Sequence, residues 1–153
     1  LDALYVAKGR PETKPLPVLV ADPSDLAGLI GEVPDDLAAL VARHWPGALT
    51  IVTDCGEELS DRVRSTGATV GIRCPDDAVS RALLAITGPL CVTSANRSGE
   101  EPCSSAEDVI GAFQSSTSIA AVLDAGRRDG RPSTVVSLRA GEIRVLRQGA
   151  LEV

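Results

Sequence analysis

The stretch Pro89-Leu90-Cys91-Val92-Thr93-Ser94-Ala95-Asn96-Arg97-Ser98-Gly99 sets the reading of the whole chain. It opens as an apolar run, Leu90 to Val92, with the length of a short buried strand. It then becomes small and polar and stops at Gly99. A strand that delivers Thr93, Ser94 and Asn96 onto a glycine-ended turn places short donors and acceptors at a sheet edge. Open α/β sheets bind their ligands there. The same residues can equally cap their own backbone as a Ser/Asn turn. Taken alone, the segment leaves both readings open.

Bulk properties narrow the choice. A chain of 153 residues is one ordinary domain, long enough to bury a core. Hydrophobic residues make up 44% and charged residues 24%, the balance of a globular protein. Aromatics are only 2% and methionine is absent, so the core is built from Val, Leu, Ile and Ala. Such a core suits a sheet covered by helices. The net charge of −6, from 15 basic and 21 acidic residues, argues against broad nucleic-acid binding but permits a local basic pocket. Cys55, Cys74, Cys91 and Cys103 form no C-x-x-C pair, and His44 is the one histidine, which argues against a structural zinc site. Reduced thiols in a cytoplasmic protein are the expectation. No apolar run approaches the roughly 18 residues of a membrane span, and no signal peptide is recognisable.

Upstream of the opening stretch, Leu1 to Lys8 reads as a helix with Leu1, Leu4 and Tyr5 on one face, stopped by Gly9 and Pro11. The loop Lys8-Gly9-Arg10-Pro11-Glu12-Thr13-Lys14-Pro15 follows. It can aim Lys8, Arg10 and Lys14 at one anion, with arginine supplying a planar fork for phosphate; it can also be a solvated basic loop. Leu16 to Val20 reads as a strand, which Pro17 places near an edge or at a strand start. Asp22-Pro23-Ser24 caps a helix from about Asp25 to Ile30. A second helix follows Pro34, with Leu37, Leu40 and Val41 as its stripe. His44-Trp45-Pro46-Gly47 is a turn feeding the strand Ala48 to Val52. Trp45 reads as a packing anchor for the turn, with His44 as a helix C-terminal residue; alternatively the turn shapes a pocket wall, with Thr50 facing inward. Glu57 to Arg64 reads as a short helix or loop. Thr69 to Arg73 is a buried strand stopped at Pro75. A cation ending an apolar strand is expensive unless paired, so Arg73 invites a carboxylate from ligand or protein. Asp76 to Ile86 reads as an amphipathic helix on Val79, Leu83 and Ile86.

Downstream, Ser104 or Ser105 caps a helix, with Asp108 completing a capping box beyond Ser105. That helix carries Val109, Ile110 and Phe113. Ala120 to Leu123 reads as a strand, and Arg127 to Pro132 as a charged loop. Ser133 to Leu138 and Ile143 to Leu146 read as a hairpin around Gly141. No repeat or linker is present, so a single domain over 1–153 is expected.

Six pieces then stand in order: Lys8-Gly9-Arg10-Pro11 with Lys14-Pro15-Leu16; His44-Trp45-Pro46-Gly47-Ala48-Leu49-Thr50; Gly71-Ile72-Arg73-Cys74-Pro75; Thr93 to Gly99; Pro132-Ser133-Thr134-Val135-Val136; and Leu146-Arg147-Gln148-Gly149. In this order they resemble the YrdC/Sua5 family, the threonylcarbamoyl-AMP synthases of tRNA modification. The resemblance implies an α/β (α+β) fold, a YrdC/RibB-like twisted mixed sheet flanked by helices with a concave, positively lined ligand cavity. It implies condensation of L-threonine, bicarbonate and ATP into threonylcarbamoyl-adenylate with release of pyrophosphate, assisted by Mg2+. The product would pass to downstream proteins that make t6A at position 37 of tRNAs.

The family's K-x-R and S-x-N signatures fall on Lys8 and Arg10 and on Ser94 and Asn96, the implied catalytic set. By the same resemblance Arg10, Lys14, Thr69, Asn96, Ser104 and Arg147 would hold ATP. Arg73, Ser94 and Ser133 would hold L-threonine, and no protein metal ligands are implied. The family's usual opening strand, similar to P-T-D-T-x-Y-G-L, is not in this sequence, which on this reading is N-terminally truncated relative to the family. The readings that compete with this one are a module contacting tRNA or double-stranded RNA through its concave surface, a carbamoyl-transfer domain and a catalytically weak paralogue.

Overall fold

The computed structural model describes residues 1–11, 14–56, 59, 63 and 68–153. They group into two compact units, one of Leu1–Lys14 with Thr93–Gly130 and one of Pro15–Val92 with Arg131–Val153. The segment Glu57 to Arg64, read as a helix or loop, falls outside the described residues except for Leu59 and Val63.

The larger unit carries a six-stranded mixed sheet. Its strands are β1 (Val18–Leu19), β2 (Leu49–Asp54), β3 (Thr69–Arg73), β4 (Leu90–Cys91), β5 (Thr134–Arg139) and β6 (Glu142–Arg147), in the order β4-β1-β3-β2-β5-β6. β1 runs parallel to β3 and β2 parallel to β5; the other pairs are antiparallel. Period-two alternation gives the sheet two unlike faces. Val18, Leu49, Ile51, Val70, Ile72, Val136 and Leu138 point to one side and are all buried. They share a core with Leu26 of helix α2 (Leu26–Ile30) and with Leu37, Leu40 and Val41 of helix α3 (Asp35–His44). Pro17, Thr50, Val52, Thr69, Gly71, Ser133 and Val135 lie to the other side and line a cavity of about 390 Å3.

Local chemistry sets the element ends. Asp22 accepts from Ser24 N–H and Asp25 returns the favour to the Asp22 N–H, a capping box on the short 3-10 turn that leads into α2. The peptide bond Trp45–Pro46 is cis. Trp45 is buried, and its indole Nε1 donates to the Leu49 carbonyl at 2.8 Å, which ties the turn to the strand it feeds. Gly47 is fixed by close approach: a Cβ there would stand 2.2 Å from the His44 carbonyl oxygen. The last two strands form the expected hairpin.

Two expectations are corrected in this unit, and one is narrowed. The strand read over Leu16 to Val20 pairs only at Val18–Leu19, and it lies inside the sheet between β4 and β3. Pro17 therefore marks the strand start, not an edge; its carbonyl still accepts from Val92 N–H. Helix α4 (Ala78–Thr87), capped by Asp77, buries Leu84, whereas Val79, Leu83 and Ile86 are exposed. Its sequence is apolar around most of its circumference, so spacing alone did not identify the covered side. Arg73 donates its Nε to the Gly47 carbonyl, and among the described residues no carboxylate pairs with it, so of the two expected sources the protein supplies none.

The smaller unit contains helix α1 (Asp2–Lys8) and helix α5 (Ala106–Phe113). α1 carries Asp2 in its first turn and Lys8 in its last, matching the helix dipole. It ends at Gly9, whose φ of 60° is the left-handed cap conformation. α5 is capped by Ser105 and Asp108 as the sequence indicated. Phe113 is its buried anchor, with the Arg97 guanidinium 5.9 Å from the ring centre, while Ile110 faces out. Residues Ala120 to Leu123 form no strand and leave Val122 and Leu123 exposed. An apolar tetrapeptide is a strand only if another strand pairs with it, and none among the described residues does.

Candidate functional site

The smaller unit gathers Ser94 and Asn96 around the ammonium of Lys8. Lys8 is the last residue of α1, not part of the loop, and it is buried. Its Nζ donates to Asn96 Oδ1 at 2.8 Å, to the Ser94 carbonyl and, at 3.4 Å, to Ser94 Oγ. Burial, and secondarily the positive charge of Arg10, holds its pKa below the ordinary lysine value. Asn96 is the hub. Its Oδ1 also accepts from Ser94 Oγ at 2.6 Å, and its Nδ2 donates to the carbonyls of Arg97 (2.9 Å) and Glu100 (2.6 Å). Every hydrogen-bonding position of the amide is thereby used inside the turn. The Lys8 carbonyl accepts from Ser98 N–H, and Cys103 N–H donates to the Ala95 carbonyl, closing the turn from both sides. Ser94 is exposed on this scaffold. Arg10 is half-buried and Lys14 exposed; the Lys14 carbonyl accepts from the Tyr5 hydroxyl at 3.2 Å. Ser104 precedes the Ser105 cap, its Oγ 3.4 Å from Asp108 Oδ2, and its carbonyl accepts from Arg128 N–H at 2.7 Å.

The larger unit carries the cavity on the open face of the sheet. Thr50, Thr69, Ser133 and Arg147 are its polar groups, and Leu16, Pro17, Val52, Val135 and Leu146 supply apolar walls. Thr50 and Ser133 are buried and their hydroxyls lie 2.8 Å apart. Arg147 Nη2 donates to the Ser133 carbonyl at 2.9 Å and reaches Ser133 Oγ at 3.4 Å. If Thr50 also donates, Ser133 accepts twice and keeps its own hydroxyl proton for a ligand oxygen. Thr69 is buried at the start of β3. Arg73, two same-face positions further on, is half-buried. Its Nε donates to the Gly47 carbonyl at 2.8 Å while Gly47 N–H donates to the Cys74 carbonyl, a reciprocal clamp on the end of β3. Burial lowers its pKa, and among the described residues no carboxylate pairs with it.

The structure thus brings Lys8, Ser94 and Asn96 into one network, and Thr69, Ser133 and Arg147 onto one cavity. It adds members that the sequence did not single out as site residues. Thr50 was read as facing inward where the turn shapes a pocket wall, and it does line the cavity, whereas Gly71, Val52 and Pro17 were read as strand residues. The usable signal was the period of two: Thr69, Gly71 and Arg73 share a face, as do Thr50 and Val52. Among the described residues, no group of three or more His, Cys, Asp or Glu side chains could hold a metal ion. No described helix is long and apolar enough to cross a membrane.

Comparison with known proteins gives the relatives of the chain as a whole. The chain is 42% identical over 146 residues to the threonylcarbamoyl-AMP synthase of Bacillus subtilis, spanning 94% of this chain and 41% of that protein. It is 32% identical over 152 residues to the threonylcarbamoyl-AMP synthase of Serratia proteamaculans, spanning 97% of this chain and 78% of the relative. The structure of the Sua5 protein of P. abyssi complexed with L-threonine superposes with a TM-score of 0.88 at 32% identity, over 97% of this chain and 44% of that one. The chain therefore spans less than half the length of the Bacillus and P. abyssi relatives. The Sua5/YciO/YrdC family model, described as telomere recombination, matches residues 1–149. With that match across almost its full length, the chain belongs to the Sua5/YciO/YrdC family.

Proposed function

We propose that this chain condenses L-threonine, bicarbonate and ATP into L-threonylcarbamoyladenylate for t6A modification of tRNA. The observation that carries the reading is Arg73. A half-buried guanidinium with a lowered pKa, and no carboxylate among the described residues to neutralise it, stands on the cavity-bearing face of the sheet. A ligand carboxylate supplies the missing charge, and bidentate pairing suits a guanidinium whose Nε is already fixed on Gly47. L-threonine supplies that carboxylate, and the names of the Bacillus and Serratia relatives and the L-threonine complex of the P. abyssi protein favour it.

The chemistry needs orientation and charge neutralisation more than acid–base catalysis. The threonine amine and bicarbonate combine to a carbamate with loss of water. A carbamate oxygen then attacks the α-phosphorus of ATP, and pyrophosphate leaves. In this reading Arg73 holds the carboxylate, and Ser133 donates its hydroxyl to the amino acid or its carbamate. Ser94 is offered to the amino acid by the turn that Asn96 braces. Arg10 and Lys14 neutralise phosphates, Lys8 holds the turn and adds positive charge, and Thr69, Ser104 and Arg147 face the nucleotide. Asn96 contributes by fixing Lys8 and Ser94, because its amide is already saturated. Mg2+ would arrive on the ATP phosphates with its own waters, since the described residues offer no carboxylate cage. Soluble tRNA-modifying proteins in the cytoplasm would take the adenylate onward.

The test is pyrophosphate release from the chain supplied with ATP, bicarbonate and L-threonine. Release that requires threonine supports the reading, with loss of at least tenfold in Arg73→Ala. A chain that is folded but releases no threonine-dependent pyrophosphate sinks it.

A further inference from the structure

Gly71 is the residue of the cavity whose identity the fold does not explain. It sits mid-strand in β3, opposite Val52, and its φ lies outside the left-handed region. A Cβ built on it would meet Pro17 Cβ, Thr50 Cγ2 and Val52 Cγ2, each at 3.7 Å. Those are ordinary van der Waals contacts, so alanine fits without strain. Glycine inside a strand is also an unfavourable choice, since it loses the most chain entropy and packs nothing. All three groups that the Cβ would touch belong to cavity-lining residues. The missing side chain therefore does one thing: it keeps that part of the cavity floor open.

Its position gives the open floor a meaning, and here the inference rests on the function proposed above. Same-face residues of a strand are about 6.7 Å apart, so Thr69 and Arg73 lie roughly 13 Å apart with Gly71 midway. In the proposed function Thr69 faces the nucleotide and Arg73 the threonine carboxylate. The bond that joins the two substrates must form between these ends. The hydroxyl pair of Thr50 and Ser133, with Arg147 behind it, borders the same cavity and can hydrogen-bond the carbamate there. We propose that Gly71 is a positioning residue for the joining step, clearing the space in which the carbamate oxygen reaches the α-phosphorus. In that step the new P–O bond forms on one side of phosphorus. The bond to the bridging oxygen of pyrophosphate breaks on the other, and pyrophosphate leaves with the electron pair. In-line displacement needs both axial positions clear, and a side chain rising from Gly71 would crowd the entering one.

The experiment compares the wild-type chain with Gly71→Ala and Gly71→Val. Thermal unfolding, calorimetric binding of L-threonine and of ATP separately, and pyrophosphate release are measured on each. Gly71→Ala should unfold at or above the wild-type temperature. Each substrate alone should bind within about threefold of wild type, while kcat falls about tenfold in Gly71→Ala and about a hundredfold or more in Gly71→Val. Wild-type turnover in Gly71→Val overturns the assignment. So does an effect confined to the affinity for one substrate, which would put Gly71 beneath an end and not the junction. A lower unfolding temperature for Gly71→Ala would make the glycine structural and also overturn it. Absence of threonine-dependent pyrophosphate in the wild type would instead remove the function on which the inference stands.

Discussion

Replacing Asn96 by alanine tests the network in the smaller unit most directly. The substitution deletes four hydrogen bonds, two accepted by Oδ1 and two donated by Nδ2. Their values are unequal. Ser94, Arg97 and Glu100 are exposed residues, so water can replace the amide on their groups at small loss. Lys8 is buried, and its bond to Oδ1 is charge-assisted, a class worth about 1.5–3 kcal/mol. The expected total is about 3 kcal/mol, which in a domain of this size lowers the melting temperature by about 6–12 °C. Lys8→Met retains the stem and removes the ammonium. It also removes the desolvation that lowers the lysine pKa, so its own loss should be smaller, about 1–2 kcal/mol. Urea unfolding of wild type, both single variants and the double variant yields the coupling energy of the pair, expected at about 1.5 kcal/mol or more. A coupling below about 0.5 kcal/mol, with Asn96→Ala losing less than about 1 kcal/mol, would refute the claim that this pair organises the turn.

Further outcomes follow from single contacts. Gly47→Ala must displace the His44 carbonyl, because the new Cβ would lie 2.2 Å from it, and should lower stability by about 1–3 kcal/mol in chemical denaturation. Thr50→Val removes one member of a buried hydroxyl pair and should destabilise by about 1–2 kcal/mol, with much of that loss absent when Ser133→Ala is made as well. Lys8 has a folded pKa below its unfolded value near 10.5, so the unfolded chain binds more protons between the two values. Its contribution to stability must then rise with pH across that window, and unfolding free energies measured from pH 8 to 10.5 should show a rise that Lys8→Met abolishes. Asp108 has its pKa lowered by bonds from Ser105 and Ser104. That cap should be fully present above the unfolded pKa near 4 and lost as pH falls through the lower folded value, and Ser105→Ala should weaken the dependence while the backbone bonds to Asp108 keep part of it.

The strand over Thr69 to Arg73 and the helix caps were legible because their causes are local. Thr69 to Arg73 alternates and is bounded by a proline two residues on, and it forms a strand over those residues. Ser105 and Asp108 stand at the spacing a capping box requires, and they form one. The networks were not legible, because their members are far apart in the chain. Lys8 and Asn96 are 88 residues apart, Thr50 and Ser133 83. No periodicity connects such pairs. Helix α1 ends at Lys8, where the Gly9 stop predicted it, but nothing local shows that this ammonium is buried against a side chain 88 residues away. Arg73 was legible as a cation needing a partner, but the Gly47 carbonyl on its Nε was not, since the turn that supplies it lies 26 residues upstream.

Three glycines show why a site can be present in a sequence and still not be readable from it. Gly9, Gly47 and Gly71 are the same letter, each inside a stretch that resembles the family. Gly9 is there for its left-handed backbone, which ends α1. Gly47 is there because the His44 carbonyl occupies the place of its side chain. Both are explained by folding, and a substitution at either should reveal itself in stability. Gly71 has neither excuse: its backbone suits any residue and a methyl group has room. A residue that weakens its own strand without a structural reason is informative only when the space it leaves can be named. Here that space is the floor of the cavity beneath Thr50, between the residue proposed for the nucleotide and the residue proposed for the carboxylate. If Gly71→Ala stabilises the chain while slowing it, strand stability and turnover are in opposition at one atom. That result would tie the glycine to the reacting bond more firmly than any effect of a charged side chain, because a methyl group changes neither charge nor hydrogen bonding.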